Sequence, residues 1–458
     1  MILYMTLVEW LMGETNAKKK EGLLKPTDHK WALRKFEDMQ KIITTIILSL
    51  GILTGLSAQV SLENGDITIY GGSGGSPYSA FGIGDLLPTG FGLQEAFSGT
   101  GIGMANAYFV NNTNPASLTS IERPISMIFD LGLNFGMTQT RAEESAPYQP
   151  DGSLTNFNLW FRISRLWSSN LGLQAYSKVG YNIVDERYNP SAGGDYSMVY
   201  TGKGGVNRIY WGNAWQITPH LSVGGNLNLL FGTIEDAQTF LSDNSLSGFT
   251  IKSENHLLGV GWDAGLQYRI PMGKKNLVLG LIYANPINLS SEKTSQLLAV
   301  QDTLEQVSIW DEAFRIPKKL GVGFSFKASE RLNLAADYTV QPWSEGRLNE
   351  DLSLYNTRAF SVGVEFIPNY DKYYGYYQQT LVRAGFRVQD AYLEVDGRQA
   401  KQWQASLGIG LPFNRYRNHL NLTYTYMQRG TSSLLETRHQ LGLNISLRDV
   451  WFVRTKIR

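Results

Sequence analysis

Apolar and polar residues alternate with a period of two along most of the chain after residue 123. The alternation is clearest in six stretches, whose apolar members are Ile125, Met127, Phe129, Leu131, Leu133 and Phe135; Leu221, Val223, Leu227, Leu229 and Phe231; Leu320, Val322, Phe324 and Phe326; Phe360, Val362, Val364 and Phe366; Leu420, Leu422, Tyr424 and Tyr426; and Leu441, Leu443, Ile445 and Leu447. Period two indicates strands with one apolar and one polar face. Roughly fourteen such stretches have the length, about ten residues, that a tilted strand needs to cross a bilayer. The pattern predicts an all-β fold, a transmembrane antiparallel β-barrel of about 14 strands.

The connections between these stretches alternate in length. Short ones at residues 168–170, 218–220, 272–275 and 329–331 separate long ones at about 183–203, 233–255 and 286–316. This alternation is typical of outer-membrane barrels, with short periplasmic turns, long extracellular loops and both chain ends in the periplasm. A soluble β-sandwich needs turns at closer spacing. Aromatic residues at predicted strand ends are assigned to interfacial girdles, namely Trp160, Trp167, Trp211, Trp215, Tyr268 and Trp403.

The N-terminal part of the chain has the features of an export signal. Lys41 precedes an apolar run at residues 42–56, and Ser57 and Ala58 follow as small residues. The run is short for a membrane span, so residues 39–58 are predicted to be a cleaved signal peptide that directs the protein to the outer membrane. Residues 1–38 have no folding pattern, and we expect translation to start at Met39 and this upstream segment to be untranslated or non-structural.

Residues 59–122 are too rich in glycine for long regular elements. A barrel of about fourteen strands has a lumen wider than its own side chains fill, so this stretch is predicted to fold inside it as an N-terminal hatch, or plug. The barrel is then expected at residues 123–448, followed by a C-terminal tail at 449–458.

Composition excludes several other functions. The net charge of +1 gives no electrostatic basis for binding nucleic acid. The absence of cysteine excludes disulfides, thiolate metal sites and a cysteine nucleophile. His256 has Ser253 and Glu254 nearby, but adjacent strand positions face opposite ways. We therefore expect no enzymatic activity, no cofactor and no metal site.

Charged residues occupy the predicted inward positions of the strands: Asp130, Arg162, Lys178, Asp263, Asp337, Glu365, Arg383 and Arg387. The favoured interpretation is that they hold the plug by salt bridges and hydrogen bonds. The alternative is that Arg162, Lys178, Arg383 and Arg387 include ligands for a carboxylate. Arg383 and Arg387 lie four residues apart on one strand face and could bind it together.

Gly99-Thr100-Gly101, then Asn114-Pro115-Ala116-Ser117, immediately precede the first strand. The chain in this respect resembles the FadL family of outer-membrane transporters for hydrophobic compounds. The resemblance implies a fourteen-stranded barrel, a hatch that contains Gly99, Gly101, Asn114, Pro115 and Ala116, and a lateral gap near the third strand. That strand, at about residues 171–183, contains glycine but no proline, so the sequence does not indicate a kink.

The resulting hypothesis is an outer-membrane channel for hydrophobic small molecules such as long-chain fatty acids, in contact with outer-membrane lipid. The alternative is a non-transporting FadL-like barrel that serves as a subunit of an outer-membrane protein secretion or assembly complex, with outer-membrane or periplasmic protein partners. A pocket joined to a wall gap favours the first hypothesis, and a sealed lumen favours the second.

Overall fold

The structure, a computed structural model, describes residues 76–141, 147–189, 194–242, 248–299, 302–347, 354–368, 380–395, 397–413 and 418–450. The predicted signal peptide, the residues upstream of it and positions 451–458 of the predicted tail lie outside the described residues. In the part described, no helix is long and apolar enough to cross a membrane.

The elements before the barrel are short: the 3-10 helix η1 (Pro77–Ala80), strand β1 (Asp85–Leu86), helix α1 (Leu93–Ala96) and the 3-10 helix η2 (Pro115–Ser120). The wall strands are β2 (Met127–Arg141), β3 (Gln149–Arg162), β4 (Trp167–Ala175), β5 (Ser177–Asn189), β6 (Gly194–Gln216), β7 (Leu221–Ser242), β8 (Phe249–Met272), β9 (Lys275–Ala284), β10 (Ile287–Ala299), β11 (Asp302–Ile316), β12 (Lys319–Lys327), β13 (Leu332–Gln341), β14 (Thr357–Phe366), β15 (Leu381–Val395), β16 (Arg398–Phe413), β17 (Asn418–Gly430) and β18 (Leu435–Asp449). A third 3-10 helix, η3 (Trp343–Glu345), lies between β13 and β14.

These strands form a closed wall, because the last strand, β18, pairs along its whole length with β2. In three places, two consecutive strands continue one another and together cross the wall once. β4 and β5 both pair with β6, and β9 and β10 both pair with β8. In the third place, β11 pairs with β10 and β12 pairs with β9. The described strands therefore form a closed antiparallel barrel of 14 strands, which confirms the predicted fold.

The outer surface of the barrel carries the predicted apolar rows. Leu227, Leu258 and Val260 are among its most exposed side chains, at 54%, 55% and 61%, because they face lipid rather than protein. The girdle assignment was wrong for Trp160. This side chain is fully buried inside the barrel, where its Nε1 donates a hydrogen bond to the Leu118 carbonyl oxygen.

The barrel has a turn end, which carries the short connections at residues 163–166, 217–220, 273–274 and 328–331, and an opposite loop end. The long loops predicted at 183–203, 233–255 and 286–316 are mostly paired strand. Strands β6, β7 and β8 have 23, 22 and 24 residues, whereas β13 and β14 have 10 each. At about 3.3 Å per residue, β8 far exceeds the apolar thickness of a bilayer. We call this extension, the described residues of 181–203, 233–256 and 290–313, the tall wall.

Candidate functional site

The described residues that precede β2, which we call the N-terminal segment (76–126), lie inside the barrel. A Cβ built at Gly280 of β9 would lie 2.0 Å from the Ile102 carbonyl oxygen, and one at Gly385 of β15 would lie 2.3 Å from the Phe97 carbonyl carbon. In the reverse direction, a Cβ at Gly103 would lie 2.4 Å from Phe324 Cα. Such distances exclude a side chain, so glycines bring the segment backbone directly onto the wall.

A wall carboxylate fixes the middle of the segment. Asp337 Oδ2 accepts hydrogen bonds from the backbone N–H groups of Gly101 and Ile102, at 2.6 and 2.8 Å. Gly99 has a φ of +85°, which favours glycine. Gly101 is required for a different reason, since an added Cβ would lie 2.8 Å from Thr113 Oγ1.

The Asn-Pro-Ala motif begins η2 and contacts the wall. Asn114 is the N-cap: its Oδ1 accepts a hydrogen bond from the Ala116 N–H at 3.0 Å, and its Nδ2 donates to the Ile102 carbonyl oxygen at 2.8 Å. Pro115 occupies the first turn, and its carbonyl carbon would lie 2.5 Å from a Cβ built at Gly224 of β7. The motif thus joins two parts of the segment to each other and to the wall.

At the turn end, Arg162 also bonds the N-terminal segment. Its guanidinium donates to the Ile121 carbonyl oxygen, and its Nε donates to the Ile125 carbonyl oxygen at 3.2 Å. Of the four candidate carboxylate ligands, Arg162 is therefore engaged with the segment.

Arg383 and Arg387 face the same way, as expected, but they lie on either side of the segment. Gly385, midway between them, contacts the Phe97 backbone. On the turn-end side, Arg383 is 1% exposed and donates to Glu365 at 2.9 Å and to Asn421 at 2.8 Å. On the loop-end side, Arg387 lines a cavity. The structure does not bring the two guanidinium groups together around one ligand.

This cavity, of about 320 Å³, lies between the N-terminal segment and the loop end of the barrel. Its lining is mixed: apolar side chains include Leu87, Phe91, Leu230 and Trp343, and charged ones include Lys178, Arg208, Asp263, Lys319 and Arg387. Glu95 of α1 also lines it, and burial raises the pKa of that carboxyl group to about 7. Such a lining suits a molecule with both apolar and polar parts.

The wall next to the cavity is broken. Strand β4 ends at Ala175, Tyr176 interrupts the pairing, and β5 continues from Ser177. β3 pairs with β4 from Asn156 onward, whereas in the described part no strand pairing joins residues 150–155 of β3 to β5. The edge of β5 pairs instead with β1 of the N-terminal segment.

Glycines on the adjacent strands allow this break. Gly204 and Gly205 of β6 have φ values of +112° and +139°. A Cβ at Gly205 would lie 2.4 Å from the Ser177 carbonyl oxygen, and one at Gly232 of β7 would lie 2.1 Å from the Gly205 carbonyl oxygen. Gly204 and Gly205 lie on the strand that follows the third crossing, so the absence of proline from the third strand did not indicate them.

Ion pairs lie across the break and on the segment that covers it. Lys178 of β5 contacts Asp151 of β3 at 2.5 Å, and Arg438 contacts the same carboxylate at 2.9 Å. Arg429 contacts Asp85 of β1 at 2.8 Å. Lys178, another candidate carboxylate ligand, is therefore an ion-pair partner at the break.

No cluster of three or more histidine or acidic residues suited to a metal ion occurs among the described residues.

The fold defines the chain as a transmembrane barrel with its own N-terminal segment in the lumen. Solved structures share it. A Pseudomonas aeruginosa FadL homologue is 14% identical, with a TM-score of 0.55 over 80% of this chain and 98% of its own. The toluene transporter TbuX of Ralstonia pickettii is 15% identical, with 0.54 over 79% and 98%. The toluene transporter TodX of Pseudomonas putida is 16% identical, with 0.54 over 80% and 100%.

At these identities the likeness concerns the fold alone. The comparison with curated proteins found no match. The profile of the BamG family matches residues 67–458. Because this covers most of the chain, the protein belongs to the BamG family.

Proposed function

We propose that this protein is an outer-membrane channel for hydrophobic small molecules, and that the N-terminal segment is its hatch. In this proposal the cargo enters from the loop end, occupies the cavity and leaves sideways into the bilayer. Gly99, Gly101, Asn114, Pro115 and Ala116 hold the hatch in place, and Arg162 and Arg383 stabilise its turn-end side. The names of the toluene transporters that share the fold agree with this class of cargo.

The observation that carries the proposal is that the cavity reaches both edges of the break. Ser153 and Thr155 on β3 and Tyr176 and Lys178 on the other edge all line it. At the break, a molecule in the cavity is thus separated from the bilayer by the two-residue strand β1 and the ion pairs, and not by continuous pairing between wall strands. Displacing β1 breaks few backbone hydrogen bonds, so this is the least costly exit from the lumen.

The test joins β1 covalently to the edge of the break that it covers. Leu86 of β1 lies directly opposite Ser177 of β5, and the chain has no cysteine, so Leu86→Cys with Ser177→Cys introduces a single pair at the spacing of a cross-strand disulfide. We expect the oxidised pair to block uptake of radiolabelled oleate and toluene by cells, and reductant to restore it. The reduced protein controls for the two substitutions themselves.

A matched control pair is Thr339→Cys with Ala359→Cys. These residues also lie directly opposite each other and line the same cavity, but they belong to β13 and β14, two fully paired strands of the wall. Its oxidation should leave uptake unchanged. Equal uptake by the oxidised and reduced forms of the first pair would exclude lateral exit.

A second candidate function is a non-transporting subunit of a larger outer-membrane assembly. The direct packing of Ile102, Gly103 and Phe97 against the wall favours it, because these contacts seal the turn-end side of the lumen. Absence of uptake by the unmodified protein, together with protein partners in stoichiometric amounts after gentle detergent extraction, would select this function.

A further inference from the structure

Successive inward positions of β8 contact the N-terminal segment. A Cβ at Gly265 would lie 2.0 Å from Asn114 Oδ1. Gln267 donates a hydrogen bond to the Met104 carbonyl oxygen at 3.2 Å. Arg269 is the next inward residue toward the turn end, and it is half-buried. Its side chain has no ion pair and no hydrogen bond among the described residues.

Two arginines at comparable inward positions near the turn end are engaged. Arg162 donates to the Ile125 carbonyl oxygen at 3.2 Å, and Arg383 donates to Glu365 at 2.9 Å. Arg269 differs from both, because its Nε is enclosed by protein and faces no acceptor in the described part of the chain. A guanidinium group that is partly withdrawn from water without a counter-ion is costly, and a bound anion offsets that cost.

Arg269 lines a small pocket between the N-terminal segment and the turn end of the wall, with a volume of about 90 Å³. Ser120 of η2, Gln216 of β6 and His220 of the turn at 217–220 line it too, and each of these side chains can donate a hydrogen bond. No acidic side chain occurs among the described residues of the lining. One cation surrounded by neutral donors is suited to an anion.

The volume of the pocket restricts the ligand. At about 30 Å³ per molecule of liquid water, 90 Å³ corresponds to about three water molecules. This is room for one phosphate group and not for an acyl chain or a nucleoside. The donors come from the segment, from two strands and from a turn, so they approach from several directions. Such an arrangement suits a tetrahedral oxyanion better than a planar carboxylate.

We propose that this pocket, which contains Ser120, Gln216, His220 and Arg269, binds a phosphate group that enters from the turn end. Pro219 and His220 on its rim are exposed, so the pocket opens on that side. A phosphate group there joins η2 of the segment to β6 and β8 of the wall by charge-assisted hydrogen bonds. It belongs either to free inorganic phosphate or to the headgroup of a phospholipid. The inference goes beyond the channel function and does not depend on it.

The test measures binding of inorganic phosphate to the purified full-length protein in detergent, with chloride at equal ionic strength as the reference. We expect Arg269→Gln to weaken binding at least about tenfold, because it removes the charge and the guanidinium fork. Arg165→Gln is the matched control, since this exposed arginine lies on the neighbouring turn outside the pocket. It should bind phosphate as the parent protein does.

Mass spectrometry of the protein released from detergent identifies the source of the phosphate group. Phospholipid that the parent protein and Arg165→Gln retain, but Arg269→Gln loses, would assign it to a lipid headgroup, whereas binding of the free ion assigns it to inorganic phosphate. Absence of both from the parent protein, or equal binding by the parent protein and Arg269→Gln, would overturn the proposal. Acetate that binds as tightly as phosphate would show a carboxylate site and would refute the phosphate assignment.

A second variant and a second readout keep the test independent of how well Arg269→Gln folds. Ser120→Ala removes one neutral donor and should weaken phosphate binding about three- to tenfold. Hydrogen exchange of the amides of η2 should slow when phosphate binds to the parent protein, because the ligand ties η2 to the wall. The folded band on unheated gels is compared for every variant. Unchanged affinity in Ser120→Ala, or unchanged exchange in η2, would count against the pocket as the site.

Discussion

The turn-end and loop-end parts of the lumen are lined by the same strands, yet they are built differently. In the turn-end part, glycines admit the N-terminal segment onto the wall, and the buried Arg383 bonds the side chains of Glu365 and Asn421. In the loop-end part, the inward side chains surround a cavity and the wall is broken beside it. One barrel thus combines a closely packed seal, which we call the rigid seal, with an open chamber, through the choice of its inward residues.

The largest difference between the two parts of the lumen is expected from a pair of substitutions on one strand. Arg383→Ala leaves the buried Glu365 carboxylate without its cation, which should lower the free energy of unfolding by about 3–5 kcal/mol. Arg387→Ala, four residues along, removes a side chain that borders the cavity and bonds Gln389, and should cost less than about 1 kcal/mol. Thermal unfolding in detergent measures both.

Equal losses in the two variants would contradict the division of the lumen. Oleate uptake gives a second readout. If the two arginines held one carboxylate together, each of the two substitutions alone would impair uptake. From the packing of Phe97 between them, we expect Arg387→Ala alone to change uptake.

A smaller effect is expected where the two parts meet. Asp337→Ala leaves the Gly101 and Ile102 N–H groups without their acceptor, which should cost about 2–3 kcal/mol. Hydrogen exchange of these two amides should rise, because the segment loses its link to β13. Asp263→Asn is the matched control, since this carboxylate accepts its two hydrogen bonds from Asn226 and Asn228 of the wall. Protection that stays the same in Asp337→Ala would show that glycine packing alone holds the segment.

The same division explains which features the sequence predicts. Period two at rows such as Phe360 to Phe366 is a local property, so the strand count and the inward charged positions follow from it. The tall wall keeps period two, but its apolar side chains, such as Phe249 and Ile251, face inward and its outward ones are charged. Without a lipid-facing apolar row, these strands resemble loops in a sequence.

Contacts between distant parts of the chain are the features that the sequence does not predict. The position of Phe97 between Arg383 and Arg387 depends on the path of the segment through the lumen. The break in the third crossing depends on Gly204 and Gly205 of the next strand, where positive φ values and close backbone approach replace a proline. Each is decided by residues that are far apart in the chain or on a different strand.

An effect that depends on pH concerns the carboxyl group of Glu95, where the segment borders the cavity. Its pKa of about 7 in the folded protein lies above its ordinary value of 4.5, so the folded state binds the proton more tightly than the unfolded state does. Stability should therefore be highest below about pH 4.5, fall as the pH rises to about 7 and stay constant above it. Glu95→Gln cannot ionise and should be more stable than the parent protein by about 3 kcal/mol at pH 8 and equally stable at pH 4. Glu95→Asp retains the titration and should retain the pH dependence.

Thermal unfolding at the two pH values distinguishes these outcomes. A stability gain of Glu95→Gln that is the same at both pH values would mean that the carboxylate is already ionised in a hydrated cavity. The rigid seal would then end before α1, and the chamber would extend one helical turn farther toward the turn end.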